Sequence, residues 1–211
     1  MKKTKSSFLA LLAVLLSPMA ANAGYIEVGD AGESLGTAQD VGGGTDLIDG
    51  SISQIGDVDM YRLVMGAGAF FASTVGLSNV DTQLYLFDSN GFGIVGNDDA
   101  AGGGLQSRID AVLNAGIYFL GISAFNYDPY SAGGAIFPDS VTFGSDPIWG
   151  PTGPGGASPL ANWAASTGSN TTGSGSYGIS LSQTVAVPEP GTLALLSLGL
   201  LGLGLSRRKK V

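Results

Sequence analysis

Short runs of alternating apolar and polar residues recur along the chain, each closed by a turn rich in Gly, Asn or Asp. Alternation with a period of two marks a half-buried strand. It predicts strands near 47–53, 60–65, 69–75, 82–87, 92–95, 107–113, 117–123 and 177–183. In the second of these, Tyr61, Leu63 and Met65 form the expected core face, because Arg62 marks the opposite face as wet. Leu84 and Leu86 are expected to point inward, and Ile109 and Ala111 to share a face. Asp88-Ser89-Asn90-Gly91 predicts a hairpin reversal, with Asn-Gly supplying the positive φ of a type I′ turn. The pattern is that of an all-β domain.

Two stretches lack the period. Residues 24–46 are acidic and glycine-rich, with Gly42-Gly43-Gly44 at their centre, and read as a loosely ordered lead-in. Residues 126–176 hold six prolines and many glycines and read as a long insertion loop. Both tryptophans of the chain, Trp149 and Trp163, fall in that insertion, together with Tyr130, Phe137 and Phe143. Such aromatics either pack down over a sheet edge or form a carbohydrate- or partner-binding surface.

The two ends carry processing signals. Lys2, Lys3 and Lys5 precede an apolar run from Phe8 to Leu16, followed by Ala21-Asn22-Ala23. A basic start, a short apolar stretch and a small-residue A-x-A site describe a secretory signal over residues 1–23, cut by signal peptidase to leave Gly24 first. At the other end, residues 184–190 form a linker that ends in Pro188-Glu189-Pro190. An apolar segment at 191–206 and a basic tail at 207–211 with Arg207, Arg208, Lys209 and Lys210 follow. The apolar run Gly191 to Leu205, at about 1.5 Å per residue, reaches only about 22 Å as a helix, short of a hydrocarbon core of about 30 Å. Snorkelling arginines and local thinning would let it serve as a transmembrane helix with a cytoplasmic tail. The order of Pro-Glu-Pro, short apolar segment and basic tail resembles the PEP-CTERM sorting signal. That resemblance implies transient residence in the inner membrane, cleavage by an exosortase and transfer to the cell surface or beyond.

Setting the signals aside changes the charge. Between Gly24 and Val187 the basic residues are Arg62 and Arg108 alone, against sixteen acidic ones, a net charge of −14. Nucleic acid is thereby excluded as a partner, since phosphate binding needs clustered Lys and Arg. The chain has no Cys and no His. Disulfides are excluded, and so are zinc and copper sites built on those ligands. Hard oxygen donors remain.

A second resemblance runs from Ile48 to Ser123, with a final strand at Tyr177, and marks out a domain at 47–183. Asp57-Val58-Asp59-Met60-Tyr61 opens it, and the glycines of 66–68, the strand Asp81 to Asp88, Asn90-Gly91, Asn97-Asp98-Asp99 and Ala115 to Leu120 follow in order. This series resembles the bacterial pre-peptidase C-terminal (PPC) domain. The resemblance implies an antiparallel, jelly-roll-like β-sandwich, found beside secreted proteases and in surface proteins. The insertion at 126–176 departs from the short connection of that family.

Chemistry follows from what is left. A Ser-His-Asp or Cys-based triad has no base or thiol to work with. Asp98 with Asp99, or Asp57 with Asp59, offers a carboxylate pair of the kind that cleaves glycosides. Calcium suits these residues better, because the ion takes six to eight oxygens from flexible acidic loops. Asp57 and Asp59 are expected on one face of an extended segment, Asp98 and Asp99 in a loop, with Asp81 or Asp88 as further donors. The alternative is that these acids cap turns. The reading that results is a non-enzymatic exported protein of the cell surface or extracellular matrix, structural, adhesive or exopolysaccharide-binding. Its rivals are an accessory domain of a secreted peptidase and a carboxylate-pair enzyme.

Overall fold

The computed structural model describes residues 23–138, 147–165, 173–182 and 184–185. Among the described residues there are strands and no helix. In chain order the strands are β1 (Ala23–Ile26), β2 (Gln39–Asp40), β3 (Thr45–Ile52), β4 (Val58–Met65), β5 (Gly68–Ser73), β6 (Thr82–Asp88) and β7 (Gly93–Asn97). They continue with β8 (Arg108–Leu113), β9 (Gly116–Ala124), β10 (Tyr127–Ser131), β11 (Gly134–Ala135), β12 (Leu160–Ala165) and β13 (Gly175–Leu181).

Two five-stranded sheets, ordered β1-β3-β13-β5-β8 and β2-β4-β9-β6-β7, enclose one core. Ile48, Ile52, Phe70, Ile109, Ile179 and Leu181 come from the first sheet; Tyr61, Leu63, Leu84, Leu86, Leu120 and Ile122 come from the second. Each set occupies alternate positions of its strand, as a sheet with one face inward requires. The expected core faces of β4, β6 and β8 are therefore the observed ones. The last described strand, β13, is seated between β3 and β5 by antiparallel pairing and so joins the two sides of the first sheet.

The second sheet is buried on both faces. Val58, Met60, Tyr85 and Phe87, the residues alternating with its core set, sit in a further apolar cluster with Phe119, Ile136, Phe137 and Trp163. This corrects the reading of 126–176 as an insertion loop. The stretch contributes a small sheet ordered β11-β10-β12, which lies over that outer face. Its strands run two to six residues between prolines and glycines, too short for a period to show. Gly121 makes the close approach possible: a methyl there would lie 2.9 Å from the Trp163 ring.

Two more expectations are corrected. The lead-in at 24–46 is structured: β1 pairs in parallel with β3, and β2 pairs in parallel with β4. The Asp88–Gly91 reversal is a three-residue loop, not a type I′ turn. Gly91 N donates to Asp88 O at 3.0 Å, and Gly91 alone takes positive φ, +85°. Asn90 stays at negative φ, as in a type I turn closed by a glycine bulge.

Candidate metal centre

The β6–β7 hairpin pairs Leu84 with Asn97, so the start of one strand and the end of the other share one edge of the sheet. Asp81 immediately precedes β6, and Asp98 and Asp99 immediately follow β7. One carboxylate oxygen from each lies within 4.8 Å of the others. Asp98 and Asp99 are buried, and Asp81 is half-buried. The hairpin alone creates this convergence.

Hydrogen bonds fix the walls of the trio. Phe125 N donates to Asp81 O at 2.9 Å, and Ala100 N donates to Gln106 O at 2.8 Å. Asn97 Oδ1 accepts from Arg108 N at 2.9 Å. The Thr74, Thr82 and Ser107 hydroxyls bond to one another beside it. Asp81 Oδ1 is buried and accepts no hydrogen bond. Burial, and then the charge of Asp99, pushes the Asp81 carboxyl up to about 6. Carboxylates crowded this way need a proton or a cation between them. The donors are hard carboxylate oxygens, which fit calcium and not a soft-ligand metal.

Asp57 and Asp59 do not act as a pair. The strand begins at Val58, which leaves Asp57 in the preceding turn, where its Oδ2 accepts from Ser53 N. Asp59 points into the sandwich and is fully buried. Its Oδ2 accepts from Tyr177 Oη at 2.7 Å, and that hydroxyl bonds to Tyr61 Oη at 2.6 Å. Asp59 Oδ1 has no hydrogen-bond partner. Burial is the main cause that pushes the Asp59 carboxyl up to about 8; Tyr177 opposes the shift, while the Glu27 and Asp57 charges add to it. Burial also raises both phenols.

Asp59 instead joins Glu27 and Asp30, with an oxygen from each within 4.8 Å of the others. Glu27 and Asp30 were missed by sequence reasoning because they lie in the supposed lead-in. No local signal marked them: Ile26 and Val28, the apolar neighbours of Glu27, are exposed, so their alternation points the wrong way. Asp88 belongs to neither trio. Its Oδ1 accepts from Asn90 N at 2.8 Å and Phe92 N at 3.0 Å, so it caps the hairpin turn.

The tryptophans do not form an exposed pair. Trp163 is 4% exposed, meets Tyr85 and Phe87 edge-on at 5.7 and 6.1 Å, and donates from Nε1 to Glu33 O at 2.8 Å. Trp149 is half-buried against the same cluster, with its backbone paired to Gly96. Both fill the outer core.

Ala23 and Gly24 begin β1. Ala21, Pro188, Glu189, Pro190, Arg207 and Arg208, with the 191–206 span, lie outside the described residues. A search of curated protein sequences finds no significant match to the chain. Residues 186–209 match the PEP-CTERM protein-sorting motif, which implies an exported protein directed to the cell surface and processed by exosortase.

Proposed function

We propose that this chain is a non-catalytic component of the cell surface or extracellular matrix, structural or adhesive, that engages exopolysaccharide. The observation that carries the reading is the sorting motif at 186–209 attached to a β-sandwich. In this reading the Asp81–Asp98–Asp99 trio holds calcium once outside the cell, where Cys-free domains have no disulfide to stiffen them. Bound calcium would supply only charge neutralisation and cross-linking of loops. Asp98 and Asp99 would tie the end of β7 to Asp81 at the start of β6, and their burial keeps water from competing.

The test uses the full-length chain in a host with and without a functional exosortase. The chain is expected in the matrix fraction with the enzyme, and retained in the inner membrane without it. Equal release in both hosts, or accumulation in the cytoplasm, refutes the reading.

A further inference from the structure

Asp30 of the second acidic trio lines a surface cleft of about 130 Å³ between the segment after β1 and the turn before β4. Asp30, Glu33, Gln54 and Asp57 line it, together with the backbone of Gly32 and Gly56. Asp30 belongs to both cleft and trio. Beyond Asp30 stands Asp59, fully buried, with an oxygen that accepts no hydrogen bond. The Tyr127 ring packs against Gly56 and lies near enough to Glu33 to feel its charge.

No basic side chain lines this cleft. The two arginines of the exported region are engaged elsewhere, Arg62 with Asp40 at 2.8 Å and Arg108 with Asp110 at 2.7 Å. The cleft therefore carries negative charge that no basic side chain of the described residues neutralises. What kind of cation follows from the oxygens still available. Glu27 accepts from Ala31 N and Ser51 N on its two oxygens, Asp30 Oδ1 accepts from Gly32 N, and Asp59 Oδ2 accepts from Tyr177. Four of the trio's six carboxylate oxygens already hold a hydrogen bond. Calcium seeks six to eight oxygens, whereas an ammonium group has three N–H donors to place. The volume of the cleft exceeds what a bare ion needs, and the Tyr127 ring lies behind Gly56, one of its lining residues.

We propose that this cleft is a subsite for the protonated amine of an amino sugar within a matrix polysaccharide, held by Asp30, Glu33 and Asp57 with Asp59 behind them. The proposal rests on the polysaccharide reading above and narrows it to one ligand class and one place. It also replaces the tryptophans as the carbohydrate contact.

Calorimetric titration of the full-length chain near pH 6 tests it. The probes are a trimer of unacetylated glucosamine, its N-acetylated counterpart, a lysine tripeptide and calcium alone. The unacetylated trimer is expected to bind at least tenfold more tightly than the other two organic probes. Binding should weaken at least tenfold in Asp30→Asn and in Glu33→Gln, both exposed positions where the fold tolerates change, and should fall with added salt. Equal binding of the N-acetylated trimer overturns the proposal, as does equal binding of the lysine tripeptide. Calcium binding that Asp30→Asn abolishes overturns it too, by making this a metal site. If both trimers bind and Asp30→Asn changes nothing, the subsite is wrong while the polysaccharide reading stands. If no trimer binds, both fall and only the sorting assignment remains.

Discussion

Removing calcium should lower the melting temperature of this protein, and the Asp81–Asp98–Asp99 trio sets the size of the effect. With oxygens within 4.8 Å of one another, each fully charged pair repels by at least about 3.5 kcal/mol at an effective dielectric constant near 20. Burial, and then the Asp99 charge, push the Asp81 carboxyl up to about 6, so below that pH a proton relieves part of the repulsion. Calcium relieves it without the proton. A free concentration one hundred times the dissociation constant adds about 2.7 kcal/mol to stability. In a domain of this size 1 kcal/mol moves the midpoint by about 2–4 °C. Calorimetric scans at pH 7 in millimolar calcium and in chelator should therefore differ by roughly 5–10 °C. Asp98→Asn should abolish the difference and, by removing one charge, leave the chelated protein no less stable than the parent. An unchanged midpoint in calcium, or a full shift that survives in Asp98→Asn, refutes the reasoning. Either result would return these acids to the role of buried, proton-sharing groups.

Other perturbations read the rest of the structure. Asp59 has its pKa raised, so its contribution is fully present below the unfolded value of 3.8 and is lost as pH rises through about 8. Urea titrations in chelator should thus show stability falling from pH 4 to pH 8, with a shallower fall in Asp59→Asn; parallel profiles would refute the assignment. Tyr177→Phe removes the hydroxyl that Asp59 and Tyr61 share and should cost about 1–3 kcal/mol by the same titration. Trp163→Ala should cost about 3–5 kcal/mol, because it empties the outer core, and a loss under 1 kcal/mol would contradict its burial. Affinity for any bound glycan, measured on the folded fraction of that variant, should stay within threefold of the parent.

Local pattern alone made β3 to β9 and β13 legible, because those strands run five to nine residues and alternate clearly enough to mark a buried face. It also grouped Asp98 and Asp99 as oxygen donors with Asp81 or Asp88, but the observed β6–β7 pairing was needed to choose Asp81. The sorting motif is a linear address, and needed no fold to be read. Everything that depends on distant segments meeting was decided in three dimensions. β1 and β2 owe their existence to β3 and β4, and two to four residues carry no period of their own. Met60 looked wet beside Arg62, yet β10 to β12 cover it, because a sheet can be closed on its second face by a segment arriving from elsewhere. The same covering removed Trp163 from the surface. Asp59 shows the limit most plainly. Its spacing from Asp57 put both acids on one face, but the strand starts between them, and tertiary packing carried Asp59 to Glu27, Asp30 and Tyr177. Alternation reports which way a side chain points; only the packed sandwich reports what it meets there.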